Sequence, residues 1–243
     1  MKRTNNLRKT SYTPQCPQEE FIVPLLKFEI ERNINLILQN NRINRVLDVG
    51  AGSMPFKEMF ISLGIEYYSL DPNPNQNPDF VGEIDGDISE IFEANGTYDL
   101  IICTEVLEHV AVWDNAFKNF HNLLNENGKI LMSAPHFYSL HEEPFDFWRP
   151  TPHAFAYFAN RNNLKIENTE LIGTFWDMLG TLMANTPRIY IKHEKISLLN
   201  KIYVRIINII FSIIYNRLKS RFFENNFTAT CYMYQSNIVT LSK

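Results

Sequence analysis

One stretch, 46–53, constrains the fold more than any other, and it reads VLDVGAGS. An apolar run ends at Val49, glycines follow at Gly50 and Gly52, and Pro55 begins a segment with the apolar spacing of a helix. Glycine has no Cβ and accepts positive φ, so a turn of this kind brings the backbone close to a ligand. The unpaired N–H groups of the following helix then face that ligand. The stretch therefore predicts a strand, a tight turn and a cofactor-binding loop.

Strands and helices alternate five times after an initial helix, which is predicted after Pro24 in the segment 21–40. The patterns predict strands at 45–49, 66–70, 80–84, 98–103 and 130–134. Helices are predicted at 55–63, at 88–93 and from a cap at Asp114 to the region that Gly128 ends. This alternation indicates a parallel, doubly wound sheet that binds ligands at the carboxyl ends of its strands. Further along we expect a helix at 152–160, a strand near 164–171, a helical stretch at 175–222 and a strand within 228–242.

Two kinds of cofactor are compatible with a glycine turn. A dinucleotide-binding fingerprint has a third glycine at the sixth position of G-x-G-x-x-G, and here Pro55 stands there. Asp48, before the first glycine, repels a pyrophosphate and favours a cofactor with a positive charge or hydrogen-bond donors. Asp71 ends the second strand about twenty residues after the glycines, where a carboxylate binds ribose hydroxyls. The pattern disfavours NAD and FAD, and a turn that serves only the fold remains the alternative.

These residues resemble the class I S-adenosylmethionine-dependent methyltransferases. The resemblance covers roughly 43–136 and lies in VLDVGAGS at 46–53, YYSLD at 67–71, GDI at 86–88 and YDLIICTEVLEHV at 98–110. It implies a Rossmann-like, doubly wound, mostly parallel sheet of seven strands, with the helical insertion 175–222 before the last strand. It also implies a single methyltransferase domain over 1–243, with a flexible tail at 1–20 and a cofactor-binding core at 43–136.

The resemblance implies S-adenosylmethionine as the cofactor. It places the amino-acid end and the sulfonium at Asp48 and the glycine loop, the ribose at Asp71, and the adenine between Asp87 and Ile88. The implied cofactor-binding residues are Asp48, Gly50, Ala51, Gly52, Asp71, Pro72, Asp87, Ile88, Thr104 and Glu105.

The choice of catalytic residues depends on the acceptor atom. An alcohol or carbon nucleophile needs a base to take its proton, whereas an amine or a carboxylate needs less help. We expect His141 or His136 to act as the base toward a sugar hydroxyl, and Glu105 and His109 are further catalytic candidates.

A metal ion is an alternative to a base. On a helix, Glu105, Glu108 and His109 share one face, because they stand at i, i+3 and i+4. Such a triad can bind a divalent metal ion, and methyltransferases of small-RNA ends and of quinone biosynthesis are similar in using one. In the alternative without a metal ion, Glu105 caps the turn and His109 packs under the next loop. The resemblance supports this alternative, because EVLEH is widespread in metal-free relatives. Our expectation is the arrangement without a metal.

The loop 136–150, here called the lid, is dense in aromatic and charged residues. The sequence APHFYSLHEEPFDFWRPTPHAF at 134–155 resembles the corresponding loop of a subgroup often encoded among bacterial surface-polysaccharide and lipopolysaccharide genes. It implies O-methylation of a saccharide, a nucleotide-sugar or a lipid-linked glycan. Aromatic rings can stack on a sugar and an arginine can bind an anionic group, so the predicted substrate-binding residues are Phe137, Tyr138, Phe147, Trp148 and Arg149.

Two other functions stay open on the sequence. One is a methyltransferase of a small metabolite or a quinone-like ring, in which the lid aromatics stack on the substrate. The other is a catalytically silent cofactor-binding or scaffold protein. Thermal stability distinguishes them. S-adenosylmethionine should stabilise a working methyltransferase, which binds its cofactor in the folded state, and should not stabilise a silent protein.

The C-terminal helical stretch has a local excess of positive charge. From Arg188 to Glu224, eight lysines and arginines stand against two acids, in a chain of net charge −4. A polar stripe interrupts the apolar residues of 198–218, so a transmembrane helix is not expected. The segment is predicted to be a core helix, a homodimer surface or a peripheral membrane contact.

The partners and the compartment follow from charge and cysteine content. The negative net charge gives no reason to expect a nucleic-acid partner, so a small molecule or a glycan is the expected substrate. Three widely spaced cysteines, without metal-ligand spacing, indicate free thiols in a reducing cytoplasm. The expected location is the cytoplasm or the inner face of the membrane.

Overall fold

The computed structural model describes residues 12–191, 199, 202–203, 206–207, 209–211, 213–214 and 233–243. The strands in this part of the chain are β1 (Arg45–Val49), β2 (Glu66–Asp71), β3 (Phe80–Val81), β4 (Tyr98–Thr104), β5 (Leu124–Pro135), β6 (Lys165–Ile172) and β7 (Ser236–Ser242). The helices are α1 (Val23–Asn40), α2 (Lys57–Ser62), α3 (Ser89–Asn95), α4 (Trp113–Leu123), α5 (Pro152–Arg161) and α6 (Phe175–Ile191). Short 3-10 helices lie at Pro17–Phe21, Pro74–Gln76 and Leu107–His109.

The seven strands form one sheet in the order β3-β2-β1-β4-β5-β7-β6. The pairs β1–β2, β1–β4, β2–β3 and β4–β5 are parallel, and β7 runs antiparallel to β5. The predicted Rossmann-like, mostly parallel sheet of seven strands is confirmed. The strand order reverses between β1 and β4, so their carboxyl ends form the crevice in which doubly wound sheets bind ligands.

Apolar periodicity explains the core of the sheet. In β4 every residue except Asp99 is buried, as expected for a central strand that is covered on both faces. In α1 the predicted apolar positions Leu26, Ile30, Ile34 and Ile37 are all buried, with exposed fractions of 7% or less. These two elements form because their sequence periods match their burial.

An aromatic cluster holds the elements beneath the lid together. The Trp113 ring at the start of α4 lies 5.3 Å from Phe155 and 5.4 Å from Phe158, both of α5, and 5.9 Å from Trp148 of the lid. Its Nε1 donates a hydrogen bond to the Leu107 carbonyl at 2.8 Å. Trp113 therefore fixes the 3-10 turn that carries Glu108 and His109.

The described chain divides into two compact units. The first contains Glu29–Leu171 and Ser236–Lys243, and the second contains Tyr12–Phe28 and Ile172–Gln235. In the second unit a Cβ on Gly180 would lie 2.4 Å from the Phe21 ring, so this glycine allows α6 to approach the 3-10 helix Pro17–Phe21 closely. The assignment of all 243 residues to one domain stays a prediction.

Local expectations around α4 are corrected. The helix begins at Trp113 with Val112 as its N-cap, and Asp114 lies in the first turn, where its carboxylate pairs with Arg161. Strand β5 begins directly after the helix, and the register with β4 shifts between the Leu124 and Lys129 pairs. Gly128 therefore lies in this irregular part of the strand and does not end the helix.

The ends of other elements also differ from the prediction. Strand β3 contains two residues and stops before Gly82, because the following loop turns toward α4, where Asn119 donates hydrogen bonds to the carbonyls of Ile84 and Gly86. Part of the predicted flexible tail 1–20 lies in the described residues, where a 3-10 helix spans Pro17–Phe21 and Glu19 is buried. The flexibility of the tail stays a prediction.

The predicted helix 175–222 begins as expected with α6. Beyond residue 191, the residues that the structure describes are helical as far as 214. The polar stripe lies outside the described residues and comprises Asn200, Lys201, Arg205, Asn208, Ser212 and Asn216. Among the helices of the described residues, none has the length and hydropathy required to cross a membrane.

Candidate active site

The glycine loop after β1 requires its glycines at specific positions. Gly50 and Gly52 have φ values of 67° and 51°, and the N–H groups of Gly50 and Ala51 donate to the Leu70 carbonyl at 2.7 and 3.2 Å. A Cβ on Gly50 would lie 2.3 Å from a methyl group of Val106. The loop therefore needs glycine both for its backbone conformation and for its close contact with the segment after β4.

Asp48 is a buried carboxylate beneath this loop. Its side chain accepts a hydrogen bond from the Tyr67 hydroxyl at 2.5 Å. Burial raises the pKa of Asp48 to about 7, the hydrogen bond from Tyr67 opposes this, and the nearby Asp71 charge adds to it. A positively charged ligand group beside Asp48 would favour the ionised carboxylate. The sequence did not single out Tyr67, because only the pairing of β1 with β2 brings it to Asp48.

Asp71 is held in a fixed orientation at the end of β2. Its Oδ2 accepts from the Gly52 N–H at 2.9 Å, and its Oδ1 accepts from the Asn73 N–H at 2.8 Å. A carboxylate oxygen can accept more than one hydrogen bond, so both oxygens can also accept from the hydroxyls of a ligand. The glycine loop and the ribose-type carboxylate thus form one hydrogen-bonded unit.

A cavity opens at the carboxyl ends of the central strands. It is lined by Val49, Gly50, Leu70, Pro72, Gly82, Glu83, Ile84, Asp85, Val106, His109 and Val110. The side chains of Leu70, Ile84 and Val106 provide apolar walls suited to a flat ring, and the Asp85 carboxylate provides a polar edge. Of the predicted cofactor-binding residues, Gly50 and Pro72 line this cavity directly, and Ala51 is buried in the same loop.

Asp87 and Ile88, which were predicted to contact the adenine, do not line this cavity. Asp87 is exposed, and its carboxylate accepts from the Ser89 N–H at 2.9 Å at the start of α3, which lowers the pKa of Asp87. Ile88 packs against the core. Ile84 and Asp85 of the same loop line the cavity instead. The sequence did not indicate them, because the position of this loop depends on a hydrogen bond from Asn119, a distant residue, to the Ile84 carbonyl. We therefore assign the predicted adenine contacts to Ile84 and Asp85 as a proposal.

The segment after β4 begins with a buried glutamate. Thr104 ends β4 and is buried, and Glu105 follows with a positive φ of 55°. The Glu105 carboxylate accepts from the Ser133 hydroxyl at 2.8 Å and from the Ser236 hydroxyl at 3.1 Å. Burial raises the pKa of Glu105 to about 7, against the effect of these two hydrogen bonds. Strands β5 and β7 therefore hold Glu105.

The predicted single helix face for Glu105, Glu108 and His109 is wrong. Only Leu107–His109 is helical, as one 3-10 turn, because Glu105 belongs to the left-handed bend that ends β4. The turn and the lid instead bring together Glu108, His109 and His141, here called the histidine–glutamate cluster.

The cluster is compact and largely buried. Glu108 Oε1 lies 3.8 Å from His109 Nε2 and 4.0 Å from His141 Nε2, and the two imidazole centroids are 4.8 Å apart. The Glu108 side chain is 1% exposed, and burial and the Glu105 charge raise its pKa. His136 is not in this group, and its Nδ1 lies 3.0 Å from the Pro150 carbonyl. Of the predicted catalytic residues, the structure brings His141 and His109 together.

The lid is attached to the turn beneath it by backbone hydrogen bonds. The N–H groups of Phe147 and Trp148 donate to the Glu108 carbonyl, and Trp148 Nε1 donates to the Val110 carbonyl at 2.8 Å. The Arg149 guanidinium binds both oxygens of Asp146 at 2.6 and 2.7 Å. Although burial opposes this, Arg149 and the His141 N–H hold the pKa of Asp146 below its usual value.

This pairing changes the predicted role of Arg149. Its charge is already balanced by Asp146, and it also donates to the carbonyls of Tyr138 and Ser139. The guanidinium therefore shapes the lid, and its binding of a substrate anion stays a prediction.

The lid aromatics differ in their surroundings. The Tyr138 ring lies 5.3 Å from the His141 ring, so it borders the histidine–glutamate cluster. Phe147 and Trp148 are 45% and 40% exposed, and Phe137 is half-buried. The Tyr138 ring is therefore in direct contact with a histidine of the cluster.

Replacing Arg149 with lysine should loosen the lid. Lysine keeps the charge but loses the planar fork that binds both Asp146 oxygens. We expect proteolysis within 136–150 to accelerate several-fold, at unchanged cofactor affinity, as measured by limited proteolysis and calorimetry. Arg161→Lys, at an exposed pair with Asp114, is the control and should be cleaved at the wild-type rate. An Arg149→Lys lid as resistant as the wild type would contradict this role.

The comparisons with known proteins agree with this geometry. A family model described as a methyltransferase domain matches residues 26–165. The chain belongs to this methyltransferase family. A comparison with curated protein sequences returned no match.

Solved structures share the fold of this methyltransferase at low sequence identity. A SAM-dependent methyltransferase from Archaeoglobus fulgidus is 17% identical, with a TM-score of 0.52 over 90% of this chain and 94% of that one. The O-methyltransferase of a trans-AT PKS multienzyme from Brevibacillus brevis, in complex with S-adenosyl-L-homocysteine, is also 17% identical. Its TM-score is 0.56, over 100% of this chain and 82% of that one. At these identities the likeness shows the fold alone.

Proposed function

We propose that this methyltransferase transfers a methyl group from S-adenosylmethionine to a hydroxyl group of a saccharide, a nucleotide-sugar or a lipid-linked glycan. One observation carries the proposal: His109 lines the cavity beside Gly50 and also belongs to the histidine–glutamate cluster. A hydroxyl acceptor must lose its proton, and groups that handle protons or charge therefore belong beside the methyl donor. An amine or carboxylate acceptor would have less need of them.

S-adenosylmethionine is the cofactor, and the residues at the strand ends fit it. Asp48 would face the positively charged amino-acid end, because burial leaves its carboxylate short of positive partners. Asp71 would accept from the ribose hydroxyls with oxygens that Gly52 and Asn73 already orient. When bound, S-adenosylmethionine supplies a methyl group on a positively charged sulfur, which a nucleophile displaces in line.

The lid supports a sugar acceptor through its mixture of aromatic and polar groups. Tyr138 borders the cluster, and the partly exposed Phe147 and Trp148 have faces available for stacking on a ring. A closed lid would also exclude water from the methyl donor. The same aromatics suit a quinone-like ring, which is the second acceptor class.

A panel of acceptors tests the proposal. The purified protein is incubated with S-adenosylmethionine and with nucleotide-sugars, polyprenyl-linked sugars, free glycans and dihydroxylated aromatic rings. Formation of S-adenosylhomocysteine is followed together with the mass of the acceptor. We expect a methylated sugar compound, and exclusive methylation of aromatic rings would favour the second class. A protein that S-adenosylmethionine does not stabilise against heat would instead be a silent scaffold.

We further propose that the enzyme binds peripherally to an anionic membrane, where lipid-linked acceptors are found. Large apolar side chains are exposed on the described helical residues at Leu199, Ile202, Tyr203, Ile206, Ile209, Ile210, Ile213 and Ile214. The sequence around them, from Arg188 to Glu224, has a local excess of positive charge. An apolar helical surface with basic flanks is typical of an interfacial helix on anionic lipid.

The double substitution Ile206→Asn and Ile213→Asn should abolish this binding. Sedimentation with vesicles of neutral lipid and with vesicles containing phosphatidylserine measures it. We expect the wild type to sediment with the anionic vesicles and the double variant to stay in solution at unchanged thermal stability. The exposed Ile61→Asn in α2 is the matched control and should sediment like the wild type. The proposal would be contradicted if the wild type did not bind vesicles and instead formed a concentration-dependent dimer that the double variant disrupts. The partner of this surface would then be a second copy of the chain.

A further inference from the structure

We propose that Glu108, His109 and His141, together with Glu142, bind a divalent transition-metal ion beside the cofactor cavity. The site differs from the triad that the sequence suggested, because the lid supplies His141 and Glu142, and Glu105 is held by two serines. It also replaces our expectation of a metal-free site. Only the use of the ion rests on the proposed function, and the binding of the ion does not.

The spacing of the ligand atoms is the first argument. Nε2 of His109 lies 3.8 Å from Glu108 Oε1 and 4.0 Å from Glu142 Oε2, and His141 Nε2 lies 4.0 Å from Glu108 Oε1. These distances are too long for hydrogen bonds. Two ligands that each lie about 2.1 Å from a shared ion are about 3–4 Å apart. One atom from each of Glu108, His109 and His141 can be chosen so that all three lie within 4.8 Å of one another, and a shared ion would draw the widest pair slightly closer together.

The outer contacts of the imidazoles are the second argument. His109 Nδ1 lies 2.8 Å from the Phe145 carbonyl, which can only accept, so this nitrogen carries the proton. His141 Nδ1 lies 3.2 Å from the Ser139 carbonyl and 3.3 Å from Asp146 Oδ2, also acceptors, and the Arg149 guanidinium is farther at 3.5 Å. In the neutral rings both Nε2 atoms then present a lone pair to Glu108. Metal-binding histidines are usually oriented in this way, by a hydrogen bond from the ring nitrogen that does not bind the ion.

The buried glutamate is the third argument. Glu108 is 1% exposed, and its Oε2 has no hydrogen-bond partner among the described residues. A buried carboxylate oxygen without a partner is costly, and paired charge or metal coordination is the usual compensation. The positive charge of Arg149 acts on Glu108, but Asp146 already neutralises it. A divalent ion would compensate the carboxylates of Glu108 and Glu142.

The ligand set indicates the class of ion. Two imidazole nitrogens and two carboxylates suit Mn²⁺, Fe²⁺, Co²⁺ or Zn²⁺ better than Mg²⁺, which prefers oxygen ligands. An ion at this place can bind neighbouring hydroxyls of a sugar. It would lower the pKa of the acceptor hydroxyl, whose proton leaves to solvent before the oxygen forms its bond to the methyl carbon. The methyl–sulfur bond breaks in the same step, and its electron pair stays on the sulfur of the departing S-adenosylhomocysteine. This use of the ion would explain why two histidines lie together beside the cavity, because they would bind the ion and neither would have to act as the base.

Ion binding is tested without substrate or cofactor. The full chain is treated with chelator and dialysed, and then Mn²⁺, Zn²⁺ and Mg²⁺ are titrated separately by calorimetry, with electron paramagnetic resonance for Mn²⁺. We expect one Mn²⁺ or Zn²⁺ per chain and much weaker Mg²⁺ binding. Glu108→Gln and His141→Gln should each weaken the affinity at least about tenfold. His153→Gln, an exposed histidine of α5, is the control and should bind like the wild type.

The outcomes separate the ion from the proposed function. If Glu108→Gln does not fold, His141→Gln decides, with its folding checked by the thermal shift that S-adenosylmethionine produces. Absence of Mn²⁺ and Zn²⁺ binding in the wild type, or wild-type affinity in His141→Gln, would overturn the site. Methyl transfer to a hydroxyl that persists after chelation would overturn the proposed use of the ion, and it would leave the binding site and the proposed function standing. One bound ion together with methyl transfer only to nitrogen would leave the site standing and overturn the function.

Discussion

Asp48→Asn is expected to weaken S-adenosylmethionine binding by about 10–100-fold, because it removes the charge that, in our proposal, faces the amino-acid end of the cofactor. A hydrogen bond between charged groups contributes about 1.5–3 kcal/mol, which corresponds to this range of affinity. The amide oxygen of the substituted asparagine can still accept a hydrogen bond from the Tyr67 hydroxyl, as the carboxylate does in the wild type. The loss therefore concerns the cofactor more than the fold.

The same substitution should change the stability of the protein with pH. Burial raises the pKa of Asp48 to about 7, above the value of 3.8 for an unperturbed aspartate. Between these values the folded state binds a proton that the unfolded state has lost, so the contribution of Asp48 to stability falls as pH rises. The ionised group then costs the fold an amount on the order of a few kcal/mol. The neutral asparagine side chain would carry no such cost.

Thermal denaturation at two pH values measures this effect. The melting temperature of Asp48→Asn relative to the wild type should be higher at a pH of about 8 than at a pH of about 5. Calorimetric titration with S-adenosylmethionine on the same samples gives the affinity. An unchanged affinity would contradict the placement of the cofactor at Asp48, and a pH-independent difference in melting temperature would contradict the raised pKa.

Gly50→Ala has the largest expected effect on the fold. Alanine at a φ of 67° costs about 1–2 kcal/mol, and its Cβ would lie 2.3 Å from a Val106 methyl group. Overpacking of this kind adds about 1–3 kcal/mol. We expect the free energy of unfolding to fall by about 2–5 kcal/mol. Cofactor binding should be lost, because Gly50 and Val106 both line the cavity.

Gly64→Ala separates the two contributions. Gly64 has a similar φ of 72°, and a Cβ there would have no heavy atom within 4 Å. Its cost should be the conformational part alone, about 1–2 kcal/mol, at wild-type cofactor affinity. Chemical denaturation and calorimetry of both variants provide the comparison. Equal destabilisation by the two substitutions would contradict the close contact between Gly50 and Val106.

The fold was predictable because its signals are local. The apolar run of β4 and the spacing of Leu26, Ile30, Ile34 and Ile37 in α1 correspond directly to burial. The glycine loop and Asp71 were also predictable, since a fixed offset links them across one strand, helix and strand. The end of α4 was not, because β5 follows Leu123 without a turn and its first residues pair irregularly with β4.

The site was less predictable where it depends on contacts between distant segments. Tyr67 reaches Asp48 through strand pairing, and Ile84 and Asp85 reach the cavity through a loop that Asn119 holds. His141 reaches Glu108 because the lid is attached to the 3-10 turn. None of these contacts has a spacing in the sequence that distinguishes it from chance. The spacing of Glu105, Glu108 and His109 predicted instead a shared helix face that the structure does not have.

The position of the transferred methyl group tests the central claim most directly. The enzyme is incubated with S-adenosylmethionine that carries an isotope-labelled methyl group and with the glycan acceptors, and the product is examined by nuclear magnetic resonance. We expect a labelled methyl group on a sugar oxygen, and loss of this product in Asp48→Asn at limiting cofactor. A labelled methyl group on nitrogen or carbon, or no transfer by a folded protein that binds S-adenosylmethionine, would contradict it.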